Sequence, residues 1–218
     1  MEGIFSPESR FMRFMSRVGD LILLNFLFWV TSIPIVTMGA AATALSTVVF
    51  RFDTEREEGT VKSYFRAFRQ EFKQATLLWL GILACIAFLC ADLYIMQILG
   101  GFFKYLNFIF GLLLVLTVFV ATYAFPLLSQ FDDKNQVILV NSLMLSVAYL
   151  PRTLLMAVLN LLPLIMAFFR FDVFLQCGFI WVLAWFAIAA YFDSLLLHKV
   201  FAPYIDRDET DEEKEENT

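Results

Sequence analysis

The sequence predicts an all-α, polytopic transmembrane helical bundle: a broken N-terminal helical hairpin, four further spans, and amphipathic helices on the cytoplasmic side. Three observations carry this. Of 218 residues 60% are hydrophobic and 17% charged, with 26 Phe and a mean hydropathy of +0.73, whereas a soluble domain runs at roughly 45–50% apolar and about 25% charged. Residues 21–50 hold thirty positions without one charge, and about 20 apolar residues suffice to cross a bilayer. Further apolar runs follow at 74–99, 105–128, 153–169 and 173–197. Residues 1–204 read as one transmembrane helical domain, and 205–218 as a disordered acidic cytoplasmic tail with no apolar period.

Ser6, Pro7 and Glu8 supply the N-cap, first-turn proline and first-turn acid of a helix start. Phe11, Phe14, Met15 and Val18 then recur at helical spacing beside Arg10, Arg13 and Arg17, which predicts an interfacial helix with arginines among the headgroups. It leads into the 21–50 run, which Pro34 and Gly39 interrupt. Each piece reaches roughly 20 Å at about 1.5 Å per residue, short of a hydrocarbon core about 30 Å thick. One kinked span and a hairpin turning at 34–39 both fit that length. Charge decides between them. With a hairpin, only Lys104 and Arg170 of the 16 Lys and Arg face outside, whereas a single span sends the N-terminal arginines out. Both termini are therefore expected in the cytoplasm, with the protein in the cytoplasmic (cell) membrane. A secretory signal peptide is the competing reading of residues 1–42, but Asn25 and Pro34 interrupt its core. Gly39, Ala40, Ala41, Ala42 and Ala44 are small enough for close helix packing in lipid, and broken helices also frame substrate sites in transporters.

After the charged turn at 51–59, Val61, Phe65, Phe68 and Phe72 recur at spacings of 4, 3 and 4, and Lys62, Arg66, Arg69 and Lys73 repeat the pattern one residue later. One helix thus carries an aromatic stripe beside a basic one, and is expected to lie flat on the inner leaflet or against a partner. Membrane lipid accounts for it at about 1 kcal/mol per juxtamembrane Lys or Arg; a groove on a partner protein is the alternative. Asp92 falls about 26 Å along the next span, near the outer interface. Asp132, Asp133, Lys134 and Asn135 open another cytoplasmic helix reaching Tyr149. Asn160 and Pro163 sit at mid-depth in the following span. Pro163 is expected to leave a carbonyl without its helical partner and Asn160 to bond across helices. Asp193 and His198, the sole histidine, lie near the inner end of the last span.

Chemistry is sparse. HExxH, GxSxG, P-loop and GxGxxG patterns are absent, and Cys85, Cys90 and Cys177 lack ligand spacing and read as small buried hydrophobes. No catalytic residue, cofactor or metal is expected, and short basic stripes flanked by membrane segments make nucleic acid a poor partner. The candidate intramembrane polar site is Asn25, Pro34, Gly39, Asp92, Asn160 and Asp193, because polar groups and helix breaks within a bilayer are costly.

The stretches FMSRVGD (14–20), LNFLFW (24–29), IPIVTMG (33–39), ATAL (42–45), YFRAF (64–68), FKQAT (72–76) and LPRTLL (150–155) together resemble the YesL family of bacterial membrane proteins, mostly Gram-positive. Members of that family are typically encoded beside carbohydrate ABC-transporter permeases, binding proteins and sensor kinases. The resemblance implies a non-enzymatic accessory role in saccharide uptake or sensing, with ABC sugar permease subunits or a sensor kinase as partners. It supplies no functional residues. The loop by which permeases grip their ATPase is not visible here, so the permease itself is not the expectation. The other reading is an independent small-solute transporter or channel, with Asn25, Asp92 and Asn160 along its path. A homo-oligomer is compatible with either.

Overall fold

A computed structural model describes residues 10–53, 59–99, 105–197 and Val200. The helix-start signal at 6–8, most of the acidic turn, the Gly-rich turn at 100–104, His198 and the tail lie outside the described residues.

Helix α1, Arg10–Ser32, carries the interfacial segment unbroken into the first apolar run. Pro34 ends it, since proline disfavours helix in the residue before it, and itself takes an extended conformation (φ −75°, ψ 113°). A single 3₁₀ turn at Ile35–Thr37 follows, with the Thr37 hydroxyl 2.6 Å from the Thr31 carbonyl and 2.8 Å from that of Pro34. Helix α2, Met38–Phe50, then returns. The reversal is fixed at its open end, where the Thr60 hydroxyl donates to Asp20 Oδ1 at 2.6 Å. The expected hairpin is present. Cysteines substituted at Arg17 and Thr60, in a background with the native cysteines changed to Ser, should both react with an impermeant maleimide added to the same face. Labelling from opposite faces would show a through-going span.

Helix α3, Thr60–Leu99, is one unbroken helix of 40 residues, about 60 Å long at about 1.5 Å per residue. This corrects the expectation of a separate flat helix at 61–73: that segment is the direct extension of the next span and cannot lie across it. Most of the aromatic stripe faces outward, and a face that the sequence pattern does not single out is buried. Tyr64 and Ala67 are buried, Phe68 is half-buried, and Val61, Phe65 and Phe72 are exposed. The hairpin selects the buried face. The Tyr64 hydroxyl meets the Thr31 hydroxyl at 2.7 Å, and Tyr64 sits among Leu24, Phe28, Ala41, Ala44, Leu45 and Val48.

Helix α4, Leu106–Leu128, packs back along α3, and the amide of Gln74 donates to the Asp133 carbonyl just beyond it. Helix α5, Asn135–Ala148, occupies the expected short segment. Helix α6, Leu150–Phe169, starts with Pro151 in its first turn and continues through Pro163. The last run divides. A short α7, Phe171–Gln176, stops at Cys177, and α8, Gly178–Leu197, contains a π-helical turn at Trp181–Trp185. A single span from 173 is thereby corrected: the helix breaks at Cys177, and across the break Trp181 stacks on Phe174 at 6.2 Å between ring centroids while its indole N–H donates to the Phe174 carbonyl. Four described helices, α3, α4, α6 and α8, are long and apolar enough to cross a membrane. A second core gathers Ala75, Leu78, Tyr123, Ile138, Met156, Leu197 and Val200. The cysteines are free, but Cys85 and Cys90 face outward on α3 and Cys177 is half-buried; small apolar side chains on a lipid-facing helix surface need no burial among protein atoms.

Candidate functional site

The polar side chains within the bundle gather around irregularities in α6 and α8. A π-turn widens the helix by one residue, so some backbone groups lose their regular i→i−4 partners. Asn25 on α1 serves two of them. Its Nδ2 lies 3.4 Å from the Trp181 carbonyl and its Oδ1 accepts the Ala187 N–H at 3.2 Å. Trp29 Nε1 approaches the same Trp181 carbonyl at 3.4 Å. Asn25 is fully buried, in a position where an unsatisfied amide would cost about 1–3 kcal/mol. The neighbouring helix shows the complementary repair. Pro163 has no N–H for the carbonyl four residues earlier, that of Leu159, and the Trp185 indole from the π-turn donates to it at 3.3 Å.

At the next residue along α6, Asn160 Nδ2 lies 3.0 Å from the Met156 carbonyl and 2.7 Å from Asp193 Oδ2. Asp193 is 6% exposed, and its Oδ1 has no hydrogen-bond partner among the described residues. Tyr123 and Thr153, both fully buried, stand nearby with their hydroxyls 3.2 Å apart, and Tyr123 is within electrostatic range of Asp193 and Arg152. The Thr153 hydroxyl also reaches the Ser146 carbonyl at 2.8 Å. Helices α4, α5, α6 and α8 therefore converge here through polar groups. An intramembrane carboxyl that keeps one oxygen bare is the feature of this bundle with the strongest claim on a ligand.

The Trp185–Leu159 contact makes a defined test. Trp185→Phe keeps most of the ring and removes the donor, stranding a buried carbonyl. A loss of about 1 kcal/mol or somewhat more is expected, read as a lowered thermal midpoint in detergent. Adding Pro163→Ala supplies a backbone N–H to the Leu159 carbonyl and should recover much of the loss; no recovery would show that packing, not the hydrogen bond, is what the indole provides.

Of the remaining candidates, Pro34 and Gly39 shape the hairpin. A Cβ on Gly39 would fall 2.5 Å from Trp79 Cβ and 2.7 Å from the Ala75 carbonyl, so the absent side chain is what lets α2 close on α3. Trp79 Nε1 also donates to the Ile35 carbonyl at 2.8 Å. Asp92 bonds to none of Asn25, Asn160 and Asp193, and its Oδ2 is a buried oxygen without a partner among the described residues. Asp172 is exposed at the α6–α7 turn, where the Arg170 guanidinium bonds it at 3.2 Å and holds its carboxyl below the usual carboxylate range. Among the described residues no group of three or more His, Cys, Asp or Glu could hold a metal ion. On the outer side of α3, Lys62, Arg66, Arg69 and Lys73 are all exposed.

The family described as a protein of unknown function, DUF624, matches residues 21–93. Two curated relatives come from Bacillus subtilis (strain 168). The uncharacterized protein YteU is 29% identical over 188 residues, 81% of this chain and 83% of the relative. The uncharacterized protein YesL is 28% identical over 155 residues, 68% of this chain and 71% of the relative. The chain is thus similar to both relatives along most of its length. No solved structure matches it.

The family match covers the α1–α2 hairpin from Leu21 and α3 as far as Leu93, so it includes the Tyr64 core, the Gly39 contact and the basic face together. Sequence reasoning found Asn25, Asn160 and Asp193 because polar residues stand out in apolar runs. It missed Trp181, Trp185, Tyr123 and Thr153. A usable signal existed for Trp185: a proline inside a span requires a donor from elsewhere, and an indole N–H is one of few such groups in apolar sequence.

Proposed function

We propose that this chain is a non-enzymatic membrane accessory protein that docks, through the exposed basic face of α3, on a component of a carbohydrate ABC-type importer or on its sensor kinase. The observation that carries this is the rigid mounting of that face. Lys62, Arg66, Arg69 and Lys73 point away from a helix whose other side is clamped by the hairpin at Gly39 and Tyr64, and a stripe so held loses little freedom on binding. The carbohydrate system enters through the family resemblance alone. Further support comes from the polar groups of the spans: Asn25 and Asn160 are engaged in helix-to-helix bonds, a use that leaves them little part in lining a path. Crosslinked pull-down from native membranes tests the proposal. Recovery of an importer subunit or the kinase, lost in an Arg69→Glu, Lys73→Glu variant, is the expected result. Recovery of neither, with sugar uptake unaltered after deletion, would overturn it.

The bare Asp193 oxygen favours a second reading, a small-solute transporter. It requires flux of a sugar or ion into liposomes holding the purified protein, diminished by Asp193→Asn; no flux across a panel would retire it.

A further inference from the structure

From charge, reach and register we infer that the acidic segment 205–218 of this same chain docks along the basic face of α3. That segment holds eight Asp and Glu against Arg207 and Lys214, a net charge of −6. The face offers four cations at spacings of 4, 3 and 4, one stripe of a helix. All four are exposed, and Arg69 and Lys73 make no ion pair among the described residues. Glu71 lies two positions from both Arg69 and Lys73, about 200° round the helix at 3.6 residues per turn, and so does not share the stripe.

Reach follows from the place of Val200, the last described residue. Val200 is fully buried in the cluster that Ala75 and Leu78 also enter, and Ala75, two residues beyond Lys73, is about 200° round α3 from the stripe. Five residues from 201 to 205 span up to about 17 Å when extended, about what is needed to pass half-way round a helix roughly 10 Å across, and the residues after them can then follow the stripe, about 16 Å long from Lys73 to Lys62. The acidic residues can therefore lie beside Lys73 and Arg69 without moving any helix. Among anionic occupants the chain's own segment has the advantage of tethering, which sets a high effective concentration at a matched span. Docked there, the segment covers the surface assigned above to a partner and must leave before the partner binds. That regulatory sense rests on the proposed docking role; the contact itself does not.

Limited trypsin digestion of the full chain in nanodiscs of neutral lipid tests the contact, with intact mass reporting cleavage after Arg207. At low salt, cleavage should be several-fold slower in the wild type than in Arg69→Glu, Lys73→Glu. The difference should vanish near about 1 M salt, where charges are screened beyond about 3 Å. A second variant, Glu212→Gln with Glu213→Gln, leaves the bundle untouched and should also cleave faster. Equal rates at low salt in all three proteins would overturn the inference. Protection that grows with the number of chains per disc would assign the face to a second copy, and protection abolished by anionic lipid would assign it to headgroups; either result overturns the intrachain contact. Pull-down of the importer or kinase with and without residues 205–218 is a separate readout, so failure of the docking role and failure of the tail contact give different patterns. Equal recovery in both would overturn the regulatory sense.

Discussion

Gly39→Leu is expected to break the pairing of α2 with α3 and to leave little monodisperse protein, and Gly39→Ala to lower the thermal midpoint by an amount set by overpacking. A single methyl at this position meets Trp79 Cβ at 2.5 Å and the Ala75 carbonyl at 2.7 Å. Neither is the far end of a flexible side chain, so relief requires the helices to separate. Inserting one carbon into a packed interior costs about 1–3 kcal/mol, and a Leu carries three more. Gly19→Ala is the control. Nothing lies within 4 Å of its Cβ, and in an open helix Ala is favoured over Gly by about 1 kcal/mol, so its midpoint should hold or rise. Thermal scans and size-exclusion profiles of the three variants in one detergent decide the matter. Equal behaviour of Gly39→Ala and Gly19→Ala would mean that α2 is not held against α3 as described. The same variants bear on function, because the hairpin that Gly39 seats is what mounts the basic face.

Much of this architecture was legible because the costs that shape it are local. Pro34 ends α1 by its own ring, and Gly39 marks the close approach by having no side chain, so the hairpin could be read from two residues and the placement of arginines. The buried face of α3 could not. Tyr64 has a polar tip and stands outside the apolar stripe by hydropathy, yet its ring fills the hairpin core because Thr31, 33 residues away, satisfies its hydroxyl. Phe65 and Phe72, expected against lipid or a partner, are indeed exposed, and exposed aromatics in a membrane protein are as well accommodated by lipid as by a core. The π-turn left even less trace. Its stabilising partner Asn25 is 156 residues from Trp181, and nothing in the local sequence of Trp181–Trp185 announces i→i+5 bonding. Asn160 was read correctly as an interhelical donor, since a carboxamide at mid-span has few other uses.

Asn160→Ala should destabilise the bundle more than Asp193→Ala, although the two substitutions remove side chains of nearly equal size. The pair consists of one donor with two acceptors and one acceptor with a single described donor. Without Asn160, both Asp193 oxygens are bare in a buried site, and a stranded buried polar group costs about 1–3 kcal/mol, more where the group is a carboxyl than an amide. Without Asp193, Asn160 still has the Met156 carbonyl at 3.0 Å, and a single stranded amide hydrogen costs about 1–3 kcal/mol. Removing both takes away the orphan along with its partner, so the double variant should be more stable than Asn160→Ala alone, a coupling of about 0.5–3 kcal/mol by double-mutant cycle. Thermal midpoints should therefore fall from wild type to Asp193→Ala and again to Asn160→Ala, with the double variant above the latter. Equal losses in the two single variants, adding in the double, would reduce the pair to packing. In that case the bare oxygen would lose its standing as a ligand site, and the basic face of α3 would remain as the surface on which function is argued.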